Sequence, residues 1–593
     1  MGIGVIVVTE RVVGTAEVTP RPAREGAGAG RPAGPAVALA GLLTLALHLL
    51  YVTGPLLSDE GGLAMVARWW GSGGEYLYGP QWVDRPPGLI ATFWVANLLG
   101  PYGVRIVAGL LAAAFVLAAG WAGWAARGAR AATWSAWAAF FLMNSPLTQT
   151  FALNGELVAA TWTMAGVAAG IHAVRGRVSY RSAVALGALA GTAAAAAMLA
   201  KQNFADAAVF LLVLGLAEGL TGRVRRRRLL AVAGAAGAGF ALPVAAAAGW
   251  AYTHTGLGDL VYAMYGFRVD ASMVIARSAY AGPDSRLREL LGIALLSGIV
   301  TLAIAVVVAG RRQVRRCSPL FLACAAAGLV EVAGVALGGN YSPHYLIGLA
   351  PMLALAAGVL AVQPGRGRWL VRLFVVVPVV ATLIVSPAAA VQVTRENTVQ
   401  ATGEWLERAA ERGDSVAVLY THANVVNASG LRPAYPYAWS LPVRTLDPQL
   451  TLLAATLTDP RRAPTWVVGW DALRTWDLDA HRVARALATD YVRFATVCDH
   501  PVWLRRGLDR TEPPDPCAGT GIQESSIESA GRPAMPGSLP VWTSSPGARS
   551  RSSARGRSSP AGPARSPGWS SPSGCSTGAS AGASATTRRA SST

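Results

Sequence analysis

The chain has 593 residues, 53% hydrophobic and only 14% charged, with a mean hydropathy of +0.39. That balance excludes an ordinary soluble globular protein and puts much of the chain in lipid. The formal net charge is +19, but the arginines cluster between apolar runs and in the tail, so membrane topology explains the excess better than nucleic-acid binding does.

Residues 1–34 carry scattered Arg and Pro and no uninterrupted apolar region ending in a cleavage site, the pattern of a cytoplasmic tail rather than a signal peptide. Apolar runs long enough to span a bilayer follow near 36–57, 104–126, 131–147, 156–174, 182–200, 203–220, 229–252, 289–310, 318–337, 343–362 and 369–391. They predict a polytopic α-helical membrane protein with eleven transmembrane helices. Arg127 and Arg130, Arg175 to Arg181, Arg223 to Arg228, Arg311 to Arg316, and Arg366 with Arg368 all fall in alternate loops. The positive-inside rule makes that side cytoplasmic. With an odd number of spans, everything after residue 391 is then extracytoplasmic, in a multi-pass protein of the plasma membrane.

The opposite loops hold nearly every residue with chemical potential. The first, 58–89, has an acidic pair (Asp59, Glu60), a run of interfacial aromatics (Trp69, Trp70, Tyr76, Tyr78, Trp82) and the turn Asp84-Arg85-Pro86-Pro87. Carboxylates just past a helix end, followed by aromatics and an arginine, suit chemistry at the water–lipid boundary; a snorkelling loop with interfacial anchors is the alternative. Glu156 opens the fourth span, Lys201 ends the fifth as the only lysine beside 50 arginines, and His344 and Tyr345 stand at the outer end of the tenth. A loop at 253–288 adds His254, Tyr262, Tyr265, Arg268 and Arg277.

Residues 393–519 change character. The segments 396–413, 447–459 and 478–491 have helical patterns, while 415–420, 464–470, 492–498 and 500–506 have strand patterns. This alternation predicts a small α/β domain. Cys498 and Cys517 are placed to pair on the oxidising side, whereas Cys317 and Cys324 belong to the ninth span. From 520 to 593 the chain is Ser/Pro/Gly/Ala/Arg-rich, a composition expected to be disordered.

The order of an acidic pair after the first span, an aromatic juxtamembrane segment, a basic-Pro-Pro-Gly-Leu turn and His-Tyr-Leu before a late span resembles the GT-C membrane glycosyltransferases. The similarity is to the protein O-mannosyltransferase and aminoarabinose transferase type. It covers roughly residues 36–390 of the expected transmembrane domain (35–392), and more weakly the external domain. It implies a polyprenyl-phosphate-linked sugar as donor and transfer to a glycan, lipid or protein acceptor on the extracytoplasmic face. Asp59 then matches the catalytic base, Glu60 its orienting neighbour and Glu156 the second acid. Arg85, with Lys201, Tyr345 and His344, would hold the donor phosphate. Arg85 departs from the common Lys-Pro-Pro-Leu form.

Each residue also has a plainer reading. Ser58 and Asp59 suit helix capping, Glu156 a helix dipole, Lys201 snorkelling, and His344 with Tyr345 an interfacial belt. The sequence contains no metal-ligand spacing and no nucleotide-phosphate loop. No cofactor is expected; a divalent ion, if used, would fall to Asp59, Glu60 and Glu156. A transporter or flippase for a lipid-linked sugar is the rival function.

Overall fold

The computed structural model describes residues 33–72, 76–277, 283–395, 397–473, 475–476, 478–519 and 522. The expected tails therefore lie outside the described residues, apart from a few positions at their inner edges. Among the described residues, seven helices are long and apolar enough to cross a membrane. They are Gly103–Arg127, Gly155–Arg175, Tyr180–Ala200, Arg226–His254, Pro319–Leu337, Pro343–Ala361 and one starting at Gly367.

An eighth is broken, its halves Asp284–Leu296 and Ile299–Arg315 meeting at 68°. Gly298 sits at the break with φ +83°, a conformation glycine adopts without steric cost. The three remaining expected spans are helices of 17, 15 and 15 residues, Ala33–Leu49, Ala129–Met143 and Asp206–Leu220. A 15-residue helix reaches only about 22 Å, against a hydrocarbon core of about 30 Å.

The apolar surface confirms where these helices belong. Only 6% of the apolar window of Arg226–His254 is buried inside the protein, and Leu242, Ile304, Leu329 and Ile384 are all well exposed. So much contiguous apolar surface is stable only against lipid. The helix Gly155–Arg175 is long enough, at about 31 Å, to keep its two ends chemically distinct. Glu156 lies at one end, while Arg175 at the other pairs with Glu218 at 2.5 Å.

The sheet domain has five strands: β1 (Ser415–Val418), β2 (Arg432–Pro433), β3 (Trp466–Val468), β4 (Tyr491–Val497) and β5 (His500–Arg505). Their order is β2-β1-β3-β5-β4, with β1 parallel to β2 and β3, and β5 antiparallel to β3 and β4. The four strand patterns read from the sequence all form strands; β2, two residues long, has no such pattern. One face buries Trp405 and Trp466, the other Tyr420, Leu453, Val483 and Tyr491. Asp414 accepts a forked pair of hydrogen bonds from Arg510 at 2.7 and 3.1 Å and a third from the Trp466 indole at 3.0 Å. The Cys498–Cys517 disulfide is formed.

This domain sits directly on the first loop segment. The helix Ala423–Ser429 packs on the helix Ser58–Trp69, and the side chain of Asn424 donates to the Leu56 carbonyl at 3.0 Å. A Cβ on Gly61 would lie 2.6 Å from the Asn424 side chain, so glycine permits this approach. Arg68 adds bonds to the backbone and side chain of Asn427 at 3.2 and 3.1 Å.

Candidate active site

The helix Ser58–Trp69 begins with Leu57 as its N-cap, and that residue has no side-chain capping bond. The carboxylate of Glu60 instead turns back to accept from the Leu57 N–H at 3.3 Å, covering one of the helix's orphan donors. Capping thus falls to Glu60 rather than to Ser58 or Asp59. Asp59 is half-buried and makes no hydrogen bond or ion pair with the described residues.

Glu60 is 1% exposed and fully engaged. Arg105 pairs with it at 3.0 Å, and the Leu153 N–H donates to it at 3.0 Å. Arg105 also donates to the carbonyls of Phe151 and Pro55 at 3.1 and 2.7 Å. Burial raises the pKa of Glu60, and the Arg105 charge and the two backbone donors act against that rise. These contacts fasten the first loop to residues 151–153.

The Arg85 turn is held from both sides. Tyr78 donates its hydroxyl to the Arg85 carbonyl at 2.9 Å, and Pro86 and Pro87 open the helix Pro87–Asn97. Asp84 lies between two guanidiniums, Arg85 at 2.6 Å and Arg268 at 2.5 Å. Burial disfavours the Asp84 carboxylate, but those two charges outweigh it and hold its pKa below the ordinary aspartate value. Burial likewise works against the charge of Arg85. Asp84 first, then Asp59 and more distant groups including Glu156, override it and raise its pKa. Asp84 and Arg85 are paired, and Arg268 shares the load.

The third component comes from three separate segments. Glu156 follows Asn154, whose side chain caps the helix by accepting from the Leu157 N–H at 2.8 Å. The buried carboxylate of Glu156 is ion-paired with Lys201 and lies 3.6 Å from His344 Nε2. The Lys201 ammonium stands 4.5 Å over the ring of Tyr345, and the His344 ring packs edge-on to Tyr345 at 5.3 Å. Gln149, in a left-handed conformation at φ 55°, reaches His344 Nδ1 at 3.4 Å.

Asp59, Arg85, Glu156, Lys201, His344 and Tyr345 therefore form one electrostatic neighbourhood, in which Asp59 acts on both Arg85 and His344. Glu60 is engaged separately, by Arg105 and the N–H groups of Leu57 and Leu153. Gln149, Arg105 and the pairing role of Arg268 escape the sequence reading. For Arg105 a signal exists, since a charge at the start of an apolar span calls for a buried partner. The rest of the 253–288 segment is dispersed: Tyr262 bonds Asp270 at 2.9 Å, His254 bonds the Trp250 carbonyl, and Tyr265 is 56% exposed.

Glu60 and Glu156 each face their own cation. Among the described residues, the one trio of His, Cys, Asp or Glu with clustered ligand atoms is Cys498, Asp515 and Cys517, and its two cysteines are the disulfide.

No family model and no curated protein sequence matches the chain. Solved structures do. The aminoarabinose transferase ArnT from Cupriavidus metallidurans in its apo state aligns over 79% of this chain and 98% of its own, at 14% identity and a TM-score of 0.54. The same enzyme bound to undecaprenyl phosphate aligns over 79% and 97%, at 15% identity and a TM-score of 0.52. At such identities the likeness speaks for architecture, and the architecture agrees with the one the short motifs imply. The chain has the GT-C fold.

Proposed function

We propose that this protein is a membrane glycosyltransferase that moves a sugar from a polyprenyl-phosphate-linked donor to an acceptor hydroxyl on the extracytoplasmic face. One observation carries the reading. Glu60 and Glu156 are each tied to a cation, whereas Asp59, half-buried and within electrostatic reach of Arg85 and His344, has no hydrogen-bond or ion-pair partner among the described residues. A carboxylate left open next to concentrated positive charge suits a general base beside an anionic leaving group.

In a single inverting displacement, Asp59 takes the acceptor's hydroxyl proton as its oxygen bonds the sugar's anomeric carbon. The bond from that carbon to the phosphate oxygen breaks, and the electron pair leaves with the polyprenyl phosphate. Arg85 has further N–H donors beyond those given to Asp84, and Lys201 has three ammonium protons, one of which serves Glu156. Both can therefore meet a phosphate without leaving their acids. Tyr345 and His344 line the same place, and Glu156 keeps Lys201 in position. No divalent ion is needed in this scheme.

In this reading the chain crosses the membrane eleven times, with the arginine-rich ends cytoplasmic and the residues after 392 outside. The short helices then span where the bilayer thins or the helices pack deeply. The sheet domain, resting on the Asp59 helix, would shape the acceptor side. Donor turnover by purified protein, scored with a panel of labelled polyprenyl-phosphate sugars and envelope acceptors, tests the proposal. Lipid-sugar movement across liposomes without transfer would replace it with a flippase.

A further inference from the structure

The sheet domain contains a cavity that the membrane site does not use. It has a volume of about 310 Å³ and is lined by Leu419, directly after β1, by residues 469–473, directly after β3, and by the β4–β5 turn. β1 and β3 are parallel neighbours, so the cavity lies beyond their carboxyl ends. Ligands of open α/β sheets bind at that edge because the loops diverge there. The volume is at the lower end of the range for ligand cavities, about 300–1,000 Å³.

Backbone strain gathers around it. Tyr420, His422, Cys498 and Asp499 have φ of 73°, 62°, 49° and 68°. Non-glycine residues in this region are strained and cluster where a site needs a fixed loop geometry. The Cys498–Cys517 disulfide holds one of these loops. Thr421 in another donates to Asp471 at 2.5 Å. A Cβ on Gly469 would stand 2.8 Å from the Trp503 indole, so glycine lets that ring lie against the cavity floor.

We propose that this cavity binds a single uncharged sugar ring. Trp503 and His500 offer aromatic surface for the apolar C–H face of a pyranose, and Asp471 and Asp499 offer carboxylate oxygens to its hydroxyls. A cationic ligand fits less well, because Trp470, the aromatic ring best suited to cation–π contact, is already stacked with the rings of His422 and His500 at 4.5 and 3.6 Å. The inference does not depend on the transfer reaction. It bears on it through position: Thr421 and His422 lead into Ala423 and Asn424, which pack on the helix that carries Asp59.

The test is a binding titration of the full-length protein in detergent, followed by saturation-transfer NMR. The probes are methyl α-mannopyranoside, methyl β-galactopyranoside, glucosamine and, as control, ethylene glycol. Saturable binding of at least one neutral glycoside is expected, weakened tenfold or more by Asp499→Asn and by Trp503→Phe. Asparagine tolerates the left-handed conformation at 499, so the first variant removes charge without straining the turn. Asp59→Asn should leave the binding unchanged, which separates this site from the proposed catalytic one. Binding of glucosamine alone, no saturable glycoside binding, or equal affinity in wild type and both cavity variants would overturn the proposal.

Discussion

Lys201 is ion-paired with Glu156 and at the same time stands 4.5 Å over the ring of Tyr345. One ammonium thus ties together the start of one long helix, the end of another and the first turn of a third. Both charges are largely buried, with side-chain exposures of 13% for Lys201 and 3% for Glu156. Lys201→Met strands an acid in a place that water barely reaches, and breaking a buried pair from one side costs about 3–5 kcal/mol. A clear fall in thermal stability in detergent is expected. Adding Glu156→Gln should restore most of the stability and none of the transfer activity.

Glu60 is expected to behave as a brace. Glu60→Ala leaves Arg105 buried without its partner and frees the Leu57 and Leu153 N–H groups. Melting temperature should fall by several degrees, while turnover per folded molecule falls by no more than about 10², the scale of misplacement. An unchanged melting temperature with abolished turnover would move Glu60 into the reaction.

Arg85→Ala is expected to weaken donor binding by about ten- to a hundredfold, the scale of one lost charge-assisted phosphate contact at roughly 1.5–3 kcal/mol. The fold should survive, because Arg268 still neutralises Asp84 at 2.5 Å. Arg85→Lys should recover only part of the affinity, since an ammonium lacks the planar fork. Equilibrium binding of the labelled donor measures both.

Acid stability should report on Asp84. Its folded pKa is depressed: burial opposes the charge, but Arg85 and Arg268 prevail. The resulting stabilisation is fully present above the ordinary aspartate value near pH 4 and disappears as pH falls through the lower folded value. Arg268→Ala removes one of the two charges and should move the acid limb of the melting-temperature profile upward in pH. An unchanged limb would mean that Arg268 does not hold the loop to Asp84.

The long apolar runs were legible because lipid demands them, and all eleven correspond to helices, three of them short. The main strands were legible because Ser415–Val418 and Trp466–Val468 are apolar runs bounded by turn residues. The two-residue β2 and the helix Ala423–Ser429 were not, since neither is long enough to carry a period. The structure brings six of the seven candidate residues together, because loops on one side of a bundle must meet. What the sequence hides is pairing across distance. Nothing near Glu60 shows that Arg105 will take it, and nothing in Thr148-Gln149-Thr150 shows that a left-handed turn will aim Gln149 at His344.

The most direct measurement compares wild type with Asp59→Asn in a single-turnover assay with a labelled polyprenyl-phosphate sugar, with donor affinity determined on the same preparations. Loss of transfer by a factor of about 10² or more, the scale of general-base catalysis, with donor affinity and melting temperature unchanged, is the result expected if Asp59 is the base. Undiminished transfer by Asp59→Asn would contradict it.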